Sequence, residues 1–254
     1  MPKTAKETVK HNFSKYALTY DKYAKVQQET AKKLAGLLPD NAAQILDIGC
    51  GTGLLTKLLR GKYKGGRICA LDISPEMILE AKKKVGDAEY IVADAEEFSQ
   101  TVPFDLIVSN AAFQWLKDLE AALISFKKLL CPGGRMVFSI FGPLTFHELY
   151  WTLRSCLHKN VFISSKAFHG KTEIEKILAR VFKKATIKEE VLLEKNKSLK
   201  DLLMKIKYTG TQGQGITGAG YLGKEALKKM EELYRTKHKG LEATYQIFFC
   251  EGLA

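Results

Sequence analysis

The chain has 254 residues, 46% of them hydrophobic, and a formal net charge of +12, which suits one large α/β domain or a domain with a small cap. No apolar run approaches the roughly 18 to 20 residues that a membrane-spanning helix needs, and the polar start MPKTAKETVKHNF lacks the apolar core of a secretory signal, so we expect a cytoplasmic protein. The five cysteines are scattered without a C-x-x-C pair, which argues against a disulfide framework and against a metal site.

Apolar segments alternate with helical segments through the first part of the chain. Strands are predicted at 43–49, 67–73, 88–94, 104–110 and 134–141, with helices between them at about 53–61, 75–84 and 118–130. Strands that are apolar on both faces and alternate with helices are typical of a parallel, doubly wound sheet. The sequence CPGG at 131–134 is predicted to form the turn into the fifth strand.

The pattern changes after Phe141. Mostly helical segments are predicted at 144–182, 198–207 and 223–238, with strands at 185–195 and 243–252. We therefore expect a single α/β domain, 1–254, built on a doubly wound, mostly parallel seven-stranded sheet. Ligands bind at the carboxyl ends of strands in such sheets, and loops or insertions there can close over them. The predicted parts are a ligand-binding core at 43–141, a helical lid segment at 1–38, and helical lid or substrate insertions at 142–184 and 198–240.

The sequence LDIGCGTG, residues 46–53, combines the end of a strand, a tight turn and the start of a helix. Alternating glycines at 49, 51 and 53 allow the backbone to bend sharply and a ligand to approach it closely. A helix that begins directly afterwards points free N–H groups at that ligand. The third glycine of a dinucleotide fingerprint would fall on Leu54, and the run lacks the Lys and Ser/Thr of a P-loop. The stretch therefore predicts a nucleotide-type site of another kind.

Polar side chains stand at the ends of four predicted strands. Asp47 ends the first, and Asp72 ends the second, where it can accept hydrogen bonds from ribose hydroxyls. Met77 follows in a position to lie on a purine face. Asp94 ends the third strand, placed to accept from an exocyclic amine, and Asn110 ends the fourth. Acidic side chains at these strand ends, without cations that could bind phosphates, predict a ligand that contains ribose, adenine and a zwitterion.

The segments LDIGCGTG, LDISPEM, ADAEEF, FDLIVSN and LCPGG together resemble the class I S-adenosylmethionine-dependent methyltransferases over roughly 43–141. The resemblance implies a Rossmann-like fold, S-adenosylmethionine as cofactor and S-adenosylhomocysteine as product. It assigns the methionine end to Asp47 and the 49–53 loop, the ribose to Asp72, and the adenine to Asp94 with Ala95. The full set of predicted cofactor residues is Tyr20, Gln27, Asp47, Gly49, Gly51, Gly53, Asp72, Ile73, Met77, Asp94, Ala95 and Asn110.

The whole chain resembles a narrower family. Its opening FSKYALTYDKYAKVQ fits the F-x₃-A-x₂-Y-D-x₂-A-x₂-Q start of the malonyl-acyl-carrier-protein O-methyltransferases of biotin (pimeloyl) synthesis. The segments SNAAFQWLKD, FSIFGPLTFHEL and KIKYTGT support the same resemblance. It implies an acyl carrier protein bearing malonyl-phosphopantetheine as partner. Trans-aconitate methyltransferases share a related opening and the QWL element, so a small-molecule carboxyl methyltransferase is an alternative.

The acceptor remains open to two further alternatives, an RNA methyltransferase and a non-catalytic module that only binds the cofactor. Some enzymes that methylate base amino groups carry Asn or Asp, Pro, Pro and an aromatic residue after the fourth strand, whereas this chain has NAAF at 110–113. Loss of the two prolines disfavours nucleic acid despite the positive charge. Acyl carrier proteins are acidic, and a lysine-rich rim would attract one. Lys205 and Lys207 are predicted members of that rim.

The proposed substrate also explains why no catalytic base stands out. A malonyl carboxylate is already ionised near neutral pH, so the protein has to align it and exclude water. Tyr20 is predicted to close over the methionine end of the cofactor. Phe113 and Trp115 are expected either to wall the pocket or to pack in the core. The candidates for holding the carboxylate are Arg154, His147 and Tyr208, with arginine favoured because it grips two oxygens at once.

Overall fold

The computed structural model describes residues 5–157, 161–210 and 223–254. Its strands are β1 Gln44–Ile48, β2 Arg67–Asp72, β3 Glu89–Val92, β4 Phe104–Asn110, β5 Leu130–Phe141, β6 Lys184–Lys195 and β7 Glu242–Leu253. They form one seven-stranded sheet in the order β3-β2-β1-β4-β5-β7-β6. β7 runs antiparallel to both of its neighbours, and the pairs among β1 to β5 are parallel. The prediction of a mostly parallel seven-stranded sheet is confirmed.

The helices lie before, between and after the strands. The α-helices are α1 Ala5–Tyr16, α2 Tyr20–Tyr23, α3 Lys25–Leu37, α4 Leu54–Lys62, α5 Pro75–Lys84, α6 Leu119–Lys127, α7 His147–Leu157, α8 Lys171–Val181, α9 Leu199–Tyr208 and α10 Lys224–His238. Short 3₁₀ turns lie at Ala17–Thr19, Ala95–Glu97, Phe113–Trp115 and Ser164–Ala167. Of the predicted lid and insertion segments, residues 1–4, 158–160 and 211–222 lie outside the described residues.

The inner strands of the sheet are buried on both faces. Successive side chains of a strand point to opposite faces, so neighbouring residues of one strand belong to different cores. In β4, Leu106 and Val108 belong to the core shared with α3, α4, α7, α9 and α10. Ile107, between them, belongs to the core shared with α6 and α8. All three side chains are fully buried. This two-sided burial explains the continuous apolar runs of the inner strands and gives the doubly wound layering that the sequence predicts.

The strand order reverses between β1 and β4, and this point locates the ligand crevice. The chain goes from β1 through α4 to β2 on one side, and β4 then pairs on the other side of β1. Ligands of open α/β sheets bind outside the carboxyl ends of the strands at such a point. A Cβ at Gly49, just after β1, would lie only 2.5 Å from the Cβ of Ala112, just after β4. The two loops are thus in contact.

The CPGG sequence does not precede the fifth strand as predicted. β5 begins at Leu130, which pairs with Phe104, and the register then jumps so that Arg135 pairs with Leu106. The four residues form a bulge within the strand, where Gly133 adopts a φ of 80°. A glycine in the left-handed region is typical of such a bulge.

Candidate active site

A cavity lies at the carboxyl ends of β1, β2 and β4. Together with its open mouth it contains about 780 Å³ of empty space. The strand-end loops form its floor, and α1 and Tyr20 cover it. Most predicted cofactor residues line the cavity, namely Tyr20, Gly49, Gly51, Asp72, Ile73, Met77, Asp94, Ala95 and Asn110. Gln27, Asp47 and Gly53 are not among the residues that line it.

The glycine loop has the backbone that its sequence predicts. Gly49, Gly51 and Gly53 have φ values of 70°, 55° and 80°, which side-chain-bearing residues rarely adopt. A Cβ on Gly53 would press on Ala81 at 3.2 Å, whereas one on Gly51 would meet no atom within 4 Å. Because Gly51 lines the cavity, its bare Cα leaves room for a ligand there.

Asp72 ends β2 and fixes the glycine loop. One carboxylate oxygen accepts from the backbone N–H of Gly51 at 2.9 Å, and the other accepts from that of Ser74 at 2.8 Å. Burial raises the pKa of Asp72 to about 6, although hydrogen bonds from Ser74, Gly51 and Ile73 oppose the rise. The carboxylate lines the cavity while buried, so it is placed to accept further hydrogen bonds from a ligand.

Asp47 lies beneath the loop with no exposed surface. Its Oδ2 accepts from the hydroxyl of Thr56 at 2.7 Å, whereas Oδ1 is buried without a hydrogen-bond partner among the described residues. Burial, and to a smaller degree the charge of Asp72, raises the pKa of Asp47 to about 7 against the effect of the Thr56 bond. A buried unsatisfied carboxylate oxygen is costly, so this site favours a positively charged or hydrogen-donating ligand nearby.

Asp94 is paired with a residue that sequence reasoning missed. The ammonium of Lys6 bonds to the Asp94 carboxylate and lies 2.6 Å from a carboxylate oxygen of Glu96. Burial opposes the charge on Lys6, but these two bonds outweigh it and raise the pKa of the ammonium. Lys6, Val9 and Phe13 all line the cavity. Their i, i+3, i+7 spacing on α1 is a signal that identifies the helix face covering the site.

Asn110 is held from both ends of its amide. It donates to the backbone carbonyl of Gln27 at 3.1 Å and accepts from the hydroxyl of Ser139 at 2.9 Å. Ser139 in turn accepts from the backbone N–H of Ala111 at 3.0 Å. The bonds join α3, the end of β4 and β5. Gln27 therefore contributes to the site through its backbone, by fixing Asn110.

Tyr20 and its neighbour Asp21 attach the N-terminal segment to the core. Burial, with the charges of Asp21 and Asp72, raises the pKa of the Tyr20 phenol, which keeps it protonated and able to donate at neutral pH. Asp21 accepts from the hydroxyl of Thr52 at 2.6 Å and pairs with Lys84 at 2.5 Å. The segment is thus tied to the glycine loop and to the end of α5.

The three candidates for holding the substrate carboxylate are not brought to the cavity. Arg154 is exposed on α7, where it donates to the hydroxyl of Tyr150 at 3.3 Å. His147 begins the same helix, with its side chain 44% exposed. Tyr208 stacks on Tyr23 with ring centroids 4.7 Å apart. Helical sequence alone does not show which way these faces point.

Phe113 and Trp115, which follow β4, are expected from the sequence either to wall the pocket or to pack in the core. Both line the cavity. Phe113 does both things expected of it, since it lines the cavity and is also buried against Phe126 and Phe138. Trp115 lies edge-on between Phe13, at 6.2 Å, and Phe168, at 5.4 Å.

Comparison with known proteins decides the family. A family model described as a methyltransferase domain matches residues 46–138. Malonyl-[acyl-carrier protein] O-methyltransferase 2 of Ilyobacter polytropus is 34% identical over 97% of this chain and 92% of its own length. The chain belongs to the malonyl-[acyl-carrier protein] O-methyltransferase family. A relative with the same family name from Acetivibrio thermocellus is 33% identical over 96% of this chain and 92% of its own.

Solved structures agree with this family assignment at the level of the fold. The YcgJ protein of Bacillus subtilis superposes with a TM-score of 0.62 at 14% identity, covering 89% of this chain and 97% of that one. Phosphoethanolamine N-methyltransferase 2 of Haemonchus contortus superposes with a TM-score of 0.61 at 17% identity, covering 99% of this chain and 60% of that one. This member of the O-methyltransferase family is an S-adenosylmethionine-dependent enzyme with the Rossmann-like methyltransferase fold.

The residues present fit the cofactor of this O-methyltransferase family. The unsatisfied oxygen of Asp47 suits a cationic group, and the open space over Gly51 admits a ligand against the backbone. Asp72 supplies buried acceptors beside the apolar side chains of Ile73 and Met77.

In the described segments no helix has the length and apolar character to cross a membrane. The same segments contain no cluster of His, Cys, Asp or Glu suited to a metal ion.

Proposed function

We propose that the protein methylates the free carboxylate of a malonyl group carried as a thioester on acyl carrier protein, giving the methyl ester that enters biotin synthesis. The observation that carries this proposal is the extent of the similarity. The methyltransferase domain match covers 46–138, but the relative from Ilyobacter polytropus aligns with 97% of the chain. The shared region therefore includes α1 and the helices after β5, which lie outside the domain match and are available for substrate recognition.

We assign the cofactor to the cavity in the way that its donors and acceptors suggest. Asp72 accepts from the ribose hydroxyls, Asp94 with Ala95 receives the adenine, and Met77 packs against the purine. The 49–53 loop and Asp47 hold the methionine end, where Tyr20 closes the site. When bound, S-adenosylmethionine supplies the methyl group at a positively charged sulfur. Asn110, held by Gln27 and Ser139, keeps the end of β4 in place.

The protein's own contribution to the reaction is to align the malonyl carboxylate and to exclude water. A carboxylate needs no deprotonation at neutral pH, which agrees with the lack of an assigned base. It also loses its negative charge on alkylation, so apolar walls destabilise the charged reactant more than the less charged transition state. Val9, Phe13 and Leu116 provide such walls beside the strand-end loops.

The backbone of the NAAF segment favours a carboxyl acceptor over a base amine. Ala111 has a φ of 51°, and Ala112 has a φ of −117°. Proline fixes φ near −65°, so neither position has the conformation that a proline would require. The shape of this loop therefore differs from that of an N-P-P-aromatic segment. The difference supports a carboxyl methyltransferase over an enzyme that methylates base amino groups.

The test is methyl transfer from labelled S-adenosylmethionine to malonyl-acyl carrier protein, malonyl-CoA, trans-aconitate and tRNA in parallel. We expect label on the carrier protein that mild alkali releases as methanol, because esters hydrolyse under those conditions. Alkali-stable label on tRNA would replace the proposal with an RNA methyltransferase. Preference for trans-aconitate would replace it with a small-molecule enzyme, and cofactor binding without transfer to any acceptor would indicate a binding module.

A further inference from the structure

A second depression adjoins the cofactor cavity on the side away from the glycine loop. It is an apolar groove between α1, the segment after β4 and the residues around 162–168, and Phe162 and Phe168 line its far wall. Val9, Trp115 and Leu116 line both the groove and the cavity. These shared residues form the boundary at which a molecule lying in the groove would reach the cofactor.

Trp115 at this boundary has an unused donor. Its ring is held edge-on between Phe13 and Phe168. Its indole nitrogen is buried and has no hydrogen-bond partner among the described residues. An indole N–H can only donate, and a buried donor left unpaired is costly. Trp115 lines both depressions, so this unsatisfied N–H belongs to a residue at the boundary between them.

We propose that the groove seats the acyl-thioester arm of the substrate and that the Trp115 N–H donates to an oxygen of its malonyl group. This inference rests on the proposed function. A neutral donor fits that role, since a strong ion pair would stabilise the carboxylate of the bound reactant more than the transition state, where its charge is being lost. Among the described residues, Lys6 is a cation that lines both depressions, and it is already engaged by Asp94 and Glu96.

The first test removes the donor and keeps the ring. Trp115→Phe should lower kcat/KM about tenfold for both malonyl-acyl carrier protein and malonyl-pantetheine, mainly through KM. The Kd of S-adenosylmethionine should stay within twofold in calorimetry. The chain has two tryptophans, and the other, Trp151, is 39% exposed on α7. Trp151→Phe is therefore the matched control and should leave kcat/KM within twofold.

The second test fills the groove without touching Trp115. Ala167 is exposed and lines the groove, so Ala167→Phe should fold normally and lower kcat/KM at least tenfold, again with cofactor affinity retained. Ala179→Phe, at an exposed position on α8, is the control. Retention of wild-type kcat/KM by either Trp115→Phe or Ala167→Phe, or an equal loss of cofactor affinity, overturns the groove assignment while the proposed function stands. Failure of the wild type to esterify either thioester overturns the proposed function itself.

Discussion

Asp72 is the residue whose role in the cofactor site is most directly testable. It lines the cavity while two backbone N–H groups hold its carboxylate. Hydrogen bonds to a charged group contribute about 1.5–3 kcal/mol, so Asp72→Ala should weaken S-adenosylmethionine binding by that amount in calorimetry. The control is Asp40→Ala, because the Asp40 side chain is 99% exposed. Unchanged affinity in a folded Asp72→Ala protein would remove this residue from the cofactor site.

The buried carboxyls also predict that cofactor binding releases protons. Burial raises the pKa of Asp47 to about 7 and that of Asp72 to about 6 in the ligand-free protein. A cationic ligand beside Asp47 stabilises the carboxylate and lowers its pKa. Affinity should therefore rise between about pH 5 and 7, by at most about tenfold per pH unit for each proton released, and level off above that range.

Calorimetry in two buffers of different ionisation enthalpy measures the number of protons released. Asp47→Asn should reduce that number, whereas proton release identical to wild type would contradict the assignment. The same raised pKa values have a consequence for stability. The folded, ligand-free protein binds more protons than the unfolded chain between about pH 4 and 7, so its free energy of unfolding should fall as the pH rises through that range.

Most of the predicted cofactor residues line the cavity, whereas the three predicted carboxylate-binding residues do not, for a physical reason. Gly49, Gly51 and Asp72 follow strands, and the carboxyl ends of parallel strands meet at one edge whatever the details of packing. Arg154 and Tyr208 lie on helices outside the sheet core, where a rotation of the helix decides what a side chain reaches. Lys6 was missed because a lone lysine in a polar N-terminal segment has no such constraint.

The first two N-terminal helices, α1 and α2, are attached to the core by polar contacts. Lys6 pairs with Asp94, Asp21 bonds to Thr52 and pairs with Lys84, and the hydroxyls of Ser14 and Ser74 are 2.9 Å apart. Each contact joins the segment to a loop or helix that borders the cavity. We propose that α1 and α2 are the movable part of the lid that the sequence predicts at 1–38 and that these contacts hold them closed, whereas α3 packs in the hydrophobic core.

The pair between Asp21 and Lys84 is the contact suited to testing the lid. Asp21→Asn and Lys84→Met should each raise the dissociation rate of S-adenosylmethionine a few-fold. The double variant should show a coupling of about 0.5–1 kcal/mol, since both side chains are partly exposed. Stopped-flow displacement measures these rates. Lys83→Met, which removes a pair within α5 itself, is the control. Rates that neither variant alters would contradict a lid held by this pair.

Element prediction succeeded where local pattern and tertiary burial agree. β4 begins and ends where its apolar run predicts, at Phe104–Asn110. The predicted N-terminal helical segment instead consists of α1, a 3₁₀ turn, α2 and α3. The change of direction at Ala24, which has φ −82° and ψ 42° and no exposed surface, depends on packing against the core. Sequence periodicity carries no information about that packing.

The whole molecule has a net charge of +12, but some of its lysines are paired with carboxylates inside the fold. Lys205 was predicted to lie on a basic rim, but its side chain is only 12% exposed and lies 3.2 Å from a carboxylate oxygen of Glu194 and 3.7 Å from one of Asp201. Lys207, two residues further along α9, is exposed. Lys205 is therefore a structural residue, because an (i, i+4) pair and a strand contact both hold it inward.

Exposed lysines beside the proposed arm groove are better candidates for attracting an acidic carrier protein. Lys117 is exposed and lines the mouth of the groove. Lys64 is also exposed, but it lines a separate depression at the opposite edge of the sheet, beside the residues that precede β1 and β2. The two positions permit the same change of charge beside the groove and beside a different depression.

Lys117→Glu should raise KM for malonyl-acyl carrier protein several-fold and leave kcat and cofactor affinity nearly unchanged, because a rim charge acts mainly on the encounter. Lys64→Glu should have little effect, since exposed charges are screened over about 8–10 Å at physiological ionic strength. Malonyl-pantetheine has the arm without the acidic protein, so Lys117→Glu should barely change its KM. Added salt should raise the wild-type KM for the carrier protein in the same way.

Two outcomes would contradict this prediction. If Lys117→Glu raised KM equally for malonyl-acyl carrier protein and malonyl-pantetheine, Lys117 would contact the arm itself. If Lys117→Glu and Lys64→Glu raised KM for the carrier protein equally, the net charge rather than its location would govern the encounter.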